Sequence, residues 1–309
     1  MKLTLEQIKS ITVGALRVYE DEQGIRFQKC TEAQVSAWYA RSETLGYRAE
    51  TTTGIRLDFH TDSKTLTVDA ATNDNYEVHI NGLVRYRAAR EGDAPMVFDL
   101  GEGEKRVTLI LPSHLVGILR AVELQDGATL LPHTFKRRIL FIGDSITQGY
   151  NTRYDSTSYA WLVTKFFDAE SVIQGIGGAY FHESTVDRLD FDPDTVIVAY
   201  GTNDYGHYKT LEDLERHADL FFAALNEQYG NKPRFAITPI FREDMNKDKA
   251  MGSFAACRAT VAAMAEKHGY TVIDGMTLVP HNMDFMADAL HPNAQGFCSF
   301  ASELIKHLV

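Results

Sequence analysis

The chain is poor in cysteine, tryptophan and proline: its 309 residues include 3, 2 and 8 of them. Cys30, Cys257 and Cys298 are odd in number and widely spaced, with no CxxC pair. That excludes a disulfide framework or a cysteine zinc site, and predicts buried free thiols in a reducing compartment. No window approaches the ~20 uninterrupted apolar residues of a transmembrane helix. The opening stretch, MKLTLEQIKSITVGALRVYE, mixes charged and polar residues from the start and lacks the apolar core of a secretion signal. A cytoplasmic location without a membrane partner is therefore expected. Basic residues are outnumbered 31 to 42, leaving a net charge of −11. Such a balance argues against nucleic acid or an anionic membrane surface as the main partner. Cofactor signatures are missing as well. There is no GxxxxGK[ST] string, Gly175-Ile176-Gly177-Gly178 is too short for a dinucleotide fingerprint, and no HExxH or paired-ligand spacing exists. No cofactor and no metal are implied, and the sequence assigns no oligomeric state.

What remains is an ordinary globular composition, 44% hydrophobic and 24% charged, in a chain long enough for two domains. The first part reads as β-rich, because apolar and polar side chains alternate from Gly54 to His60, Thr65 to Asp69 and Tyr76 to Ile80. The third run meets a turn at Asn81-Gly82, and Val107 to Leu111 ends at Pro112. Short strands of this kind predict an antiparallel sandwich. Ala33 to Arg41 reads instead as a short helix. From Arg137 the rhythm changes to strand, glycine turn, helix. Ile139 to Ile142 and Val196 to Ala199 are apolar on both faces, as central parallel strands should be. Phe235 to Ile237 and Tyr270 to Ile273 look like two more. Leu211, Leu214, Ala218, Phe221, Phe222 and Leu225 keep helical spacing behind a cap at Thr210 and Asp213, with Gly230 at the far end. Another helix runs from Phe297 to Leu308. The expected organisation is an all-β sandwich over residues 1–133 and a doubly wound α/β domain over 134–309.

Four short strings in the second half carry the chemistry. Ser145, in Gly143-Asp144-Ser145-Ile146-Thr147, follows a buried strand and precedes a helical stretch, so it sits where open α/β sheets gather reactive groups. It is a candidate nucleophile, although a serine there also suits a helix cap; Thr147 rules out a GxSxG elbow. His291, in Asp288-Ala289-Leu290-His291, precedes Pro292 and the last helix. It is the candidate base, with Asp288 able to fold back and fix its tautomer. A simple capping turn at Asp288 is the alternative, His207 is the rival base and Asp284 the rival acid. Asn203, in Gly201-Thr202-Asn203-Asp204, offers an amide to a developing oxyanion, and Gly178 and Ser145 offer backbone N–H groups. Turn chemistry alone also accounts for Gly178 and Asn203. Asp204 is assigned to loop structure. Tyr180, Phe181 and Phe241 follow strand ends and are candidate pocket walls, although aromatic residues there more often serve simple packing.

With these residues in view, roughly 138–309 resembles the SGNH (GDSL) hydrolase superfamily, named for serine, glycine, asparagine and histidine in four ordered blocks. Ser145, Gly178, Asn203 and His291 match them. The resemblance implies a flavodoxin-like three-layer domain and a serine esterase with a Ser145–His291–Asp288 triad and an oxyanion hole from Gly178, Asn203 and the Ser145 amide. A β-rich domain ahead of such a hydrolase is similar in layout to family 2 carbohydrate esterases, where a jelly-roll-like sandwich packs on the catalytic domain. That implies acetyl removal from sugars, with a small acylated saccharide as partner. A lysophospholipase or thioesterase and a carbohydrate-binding protein with an idle site are the competing expectations.

Overall fold

The alternating pattern of the first half and the apolar runs of the second become three β-sheets in the computed structural model, which describes residues 1–89 and 92–309. Helix α1 (Leu5–Ile11) leads into strands β1 (Thr12–Val13), β2 (Arg17–Asp21) and β3 (Gly24–Gln28). Helices α2 (Glu32–Tyr39) and α3 (Glu43–Glu50) come next. A run of strands follows: β4 (Arg56–Thr61), β5 (Thr65–Ala70), β6 (Asn75–Ile80), β7 (Leu83–Ala89), β8 (Met96–Asp99), β9 (Lys105–Ile110), β10 (Leu119–Leu124) and β11 (Leu131–Pro132). They build two antiparallel sheets, ordered β1-β4-β9-β6-β7 with β11 on β4, and β2-β3-β10-β5-β8. Leu57, Phe59, Val78 and Leu109 of one sheet share a core with Phe27, Leu66, Val68 and Val122 of the other. Asn81 and Gly82 join β6 to β7 at φ 50° and 77°, the positive values that a two-residue type I′ hairpin requires.

The second half begins with β12 (Arg137–Gly143), α4 (Ser145–Gln148), α5 (Tyr159–Phe166) and β13 (Ala169–Gly175). It continues through β14 (Thr195–Ala199), α6 (Asp204–His207), α7 (Leu211–Tyr229) and β15 (Arg234–Ile237) to α8 (Phe254–Lys267), β16 (Thr271–Ile273) and α9 (Ala294–Leu308). Its five strands are parallel, in the order β13-β12-β14-β15-β16. Side chains alternate between the faces. Leu140, Val196 and Val198 pack with α7 and α8, whereas Ile139, Phe141 and Ile197 pack with α5 and α9. Apolar runs on these strands are thus explained by helices on both sides. Among the described residues no helix is long and apolar enough to cross a membrane.

Two expectations change, and a third feature lies outside what the sequence pattern addresses. Helix α3 is additional to the one foreseen near Ala33, and α2–α3 leave the sandwich: Trp38, Leu45 and Ala49 join the core of the parallel sheet beside Leu140 and Phe221. Cys30 and Cys257 are buried free thiols, but Cys298 is exposed, because α9 buries the face carrying Phe297, Phe300, Ala301 and Leu304. Alternation along β4 does not leave its polar side chains in water. Arg56 and Asp58 are 1% and 2% exposed, because that face docks on the second half.

There the Arg56 guanidinium donates to Ala169 O at 2.7 Å and lies 5.1 Å from the Trp161 ring. Asp58 accepts from Arg106 at 2.7 and 2.8 Å, and Arg106 reaches on to Asp168 at 2.7 Å. Removing one member of a buried charged network strands its partners, at a cost of about 3–5 kcal/mol. Since Asp58 keeps Arg106, Arg56→Met is expected at the lower end, about 3 kcal/mol by denaturant unfolding. A loss below about 1 kcal/mol would show that this junction holds little.

Candidate active site

Strand β12 lies between β13 and β14, so the chain leaves it first to one side and then to the other. At such a reversal the carboxyl ends of adjacent strands open on one crevice. Ser145 starts α4 directly after β12, Gly178 lies just beyond β13, and Asn203 lies just beyond β14. The cap of α4 is Asp144, whose carboxylate accepts from Ile146 N at 2.9 Å, so Ser145 is free of that duty. Its Oγ stands 2.8 Å from His291 Nε2. Ser145 and His291 are 5% and 9% exposed, which keeps the pair nearly out of bulk water.

His291 Nδ1 lies 2.9 Å from Asp288 Oδ2 and 3.1 Å from Oδ1. A carboxylate on Nδ1 assigns the ring proton to that nitrogen and turns the Nε2 lone pair to the Ser145 hydroxyl. Asp288 also caps the turn, because Oδ1 accepts the N–H groups of Leu290 (2.8 Å) and His291 (2.7 Å). Turn and orientation are therefore the same device. Burial pushes the Asp288 carboxyl up, but the hydrogen bonds from the His291 ring and from these backbone groups outweigh it and hold it below its ordinary value. Asn151, at φ 66°, donates its amide to Asp288 Oδ2 at 2.5 Å, and the Tyr150 ring lies 4.9 Å from that of His291. The sequence reading missed both. The available signal was the Gly149-Tyr150-Asn151 run, since asparagine is among the few residues at ease with positive φ.

The Gly178 and Asn203 loops are tied together. Asn203 Nδ2 donates to Ala179 O at 2.9 Å, leaving its second amide hydrogen for another acceptor. Gly178 adopts φ +85°. Asp204 accepts Phe181 N and Gly201 N, each at 2.9 Å, so one buried carboxylate clamps both loops. The rivals are engaged elsewhere: His207 stacks on Tyr180 at 3.7 Å, and the Asp284 carboxylate accepts from Asn282. Phe181 is no pocket wall; it is fully buried among Tyr200, Phe221 and Phe222. Tyr180 packs between His207 and Trp38, and Phe241 stacks on His281.

His182, Glu183 and His217 bring candidate ligand atoms within 4.8 Å of one another, a cluster that local sequence spacing does not reveal. Hydrogen bonds occupy those atoms. His182 Nδ1 accepts from Ser184 N, His217 Nδ1 meets Glu183 at 2.8 Å, and Arg216 donates to His217 Nε2.

The profile of the GDSL-like lipase/acylhydrolase family matches residues 141–297, a span that starts before Ser145 and ends beyond His291. The chain belongs to that family. A sequence comparison with curated proteins finds no match. Among solved structures, this GDSL-like hydrolase is similar to salicylyl-acyltransferase SsfX3 from a tetracycline biosynthetic pathway, with 20% identity, 96% of this chain and 93% of that one covered, and a TM-score of 0.84. It is also similar to a family two carbohydrate esterase from Clostridium thermocellum in complex with cellohexaose (14%, 96% and 98%, 0.70). A third is the acetyl xylan esterase Est2A from Butyrivibrio proteoclasticus (15%, 100% and 97%, 0.67). These likenesses establish the fold over the whole chain.

Two of the buried carboxyls, Asp144 and Asp204, give a pH prediction. Burial pushes Asp144 and Asp204 up to about 7, and for Asp144 the neighbouring Asp204 charge adds to it. The folded state thus holds these protons more tightly than the unfolded chain. Their contribution to stability is full below about pH 4 and is lost as pH rises toward about 7, by at most about 1.4 kcal/mol per pH unit and group. Asp144→Asn keeps an acceptor for Ile146 N and cannot ionise. Its melting temperature is expected to fall less than that of the wild type between acid and neutral pH; parallel curves would contradict the assignment.

Proposed function

We propose that the protein is a serine esterase that removes short acyl groups, acetyl above all, from hydroxyls of small carbohydrates. The observation that carries this is the continuous relay from Ser145 Oγ through His291 to Asp288, with contacts of 2.8 and 2.9 Å. Ser145 attacks the ester carbonyl while His291 Nε2 takes the hydroxyl proton. An ionised Asp288 stabilises the imidazolium that forms. The tetrahedral oxyanion receives the N–H groups of Gly178 and Ser145 and the second amide hydrogen of Asn203. His291 then passes its proton to the leaving alkoxide, and an acyl-Ser145 remains. Water, deprotonated by the same nitrogen, attacks that ester and releases the acid and the free serine.

The near burial of Ser145 supports a small acyl group. Sugar as the alcohol draws its support from the carbohydrate esterases of like fold. Support for a jelly-roll in residues 1–133 comes from strand order: β3 to β10 fall into β3-β10-β5-β8 and β4-β9-β6-β7, the pattern of two interleaved Greek keys. We place the hydrolase half at 134–309, and the free thiols favour a reducing compartment.

With p-nitrophenyl esters, activity is expected to fall from acetate through butyrate to octanoate. Ser145→Ala and His291→Ala are each expected to lower kcat by about 10³-fold or more. Asn203→Ala is expected to lose about 10²- to 10³-fold, as for one oxyanion donor. A Ser145→Ala variant with wild-type rates would end the serine mechanism, and a preference for octanoate would end the acetyl assignment.

A further inference from the structure

The peptide that carries the Gly178 N–H is held by a side chain from the first half of the chain. Arg48, on α3, donates from Nη1 to Gly177 O at 2.8 Å, across 129 residues of chain. That carbonyl and the Gly178 N–H belong to one planar trans peptide group, so fixing the C=O fixes the direction of the N–H. The guanidinium covers this peptide closely: a Cβ on Gly178 would lie 3.2 Å from Arg48 Nη1 and 3.5 Å from Leu45 Cδ2. In the preceding peptide group, Gly177 N donates to Gln148 Oε1 at 2.9 Å. Gln148 is itself held by Ser113 O, which accepts its amide at 3.1 Å. Gly177 is thus held at its carbonyl by a cation and at its own N–H by a buried amide, while among the described residues the Gly178 N–H has no acceptor.

Arg48 is itself well fixed. Lys29, fully buried, donates to Arg48 O at 2.9 Å and to Thr51 O at 2.6 Å. A positive charge thus meets the carbonyl end of α3, where the helix dipole favours it. Leu45 and Ala49 anchor the helix in the core of the parallel sheet. Among the described residues no carboxylate lies within ion-pair distance of the Arg48 guanidinium. Its charge is therefore not neutralised by a partner, unlike that of Arg56 or Arg106.

We infer that Arg48 is a positioning residue for acyl transfer: it aims and polarises the Gly178 N–H and adds a positive field where the oxyanion develops. This rests on the serine esterase function proposed above. A cation on the carbonyl oxygen draws electron density from the amide and strengthens N–H donation. The effect belongs to the tetrahedral state, in which negative charge appears, so it lowers kcat rather than substrate binding when removed.

The test is steady-state hydrolysis of p-nitrophenyl acetate by wild type, Arg48→Met, Arg48→Lys and Arg48→Ala, with Ser145→Ala beside them and melting temperatures measured for each. Arg48→Met is expected to lose about tenfold to a hundredfold in kcat with KM within about twofold, less than deletion of a direct donor. The pH midpoint of kcat should not move, Arg48→Lys should regain part of the rate, and methylguanidinium should partly rescue Arg48→Ala. A kcat for Arg48→Met within twofold of wild type, with Ser145→Ala inactive, would overturn this inference alone. So would a loss that follows the melting temperature and responds to neither lysine nor methylguanidinium. An active Ser145→Ala would overturn the serine mechanism beneath it.

Discussion

Everything at the site depends on how closely the ends of β12 and β13 approach the single turn of helix that carries Ser145. A Cβ on Gly175 would stand 2.4 Å from Gln148 N, and one on Gly143 would stand 2.0 Å from Thr147 Oγ1. Neither separation is compatible with a real side chain, so glycine at both strand ends is a condition of the architecture. Because α4 sits that low, Gln148 reaches Gly177 and Ser145 points at the crevice. The loops after β13 and β14 are then drawn together by Asp204 and Asn203. His291 arrives from the far end of the chain, positioned by the turn that Asp288 caps.

Much of this was legible from local pattern. Buried parallel strands announce themselves by apolar runs, and Ser145, Asp288 and His291 fall in short strings whose geometry is set by their immediate neighbours. What stayed hidden is non-local. Arg56 and Asp58 alternate with Leu57 and Phe59 as an exposed face would, and only docking on the second half buries them. Phe181 follows a strand end like a pocket wall, yet a backbone N–H held by Asp204 turns it into the core. Arg48 had no local signal at all: its partner lies on the other side of a domain-sized stretch of sequence, and in isolation α3 is one more short polar helix.

The electrostatics divide the acidic groups by role. Asp144 and Asp204 are fully enclosed and shifted upward, which suits carboxyls that hold backbone and need no charge. Asp288 is partly open to solvent and is held below its ordinary value by the His291 ring and nearby backbone N–H groups. The amino-terminal half contributes cations rather than acids at this edge of the site, through Arg48 and the buried Lys29 behind it. In the proposed mechanism the two halves therefore share one active centre. The helical pair of the first half holds the Gly177–Gly178 turn through Arg48.

The most direct measurement is covalent trapping. A p-nitrophenyl alkylphosphonate reacts fastest with a nucleophile activated in place by a general base, and it leaves a stable tetrahedral adduct that intact and peptide mass spectrometry can locate. The account predicts one adduct per chain, on Ser145, whose formation is abolished by His291→Ala. An adduct on another residue, or labelling of Ser145 that is indifferent to the loss of His291, would contradict it.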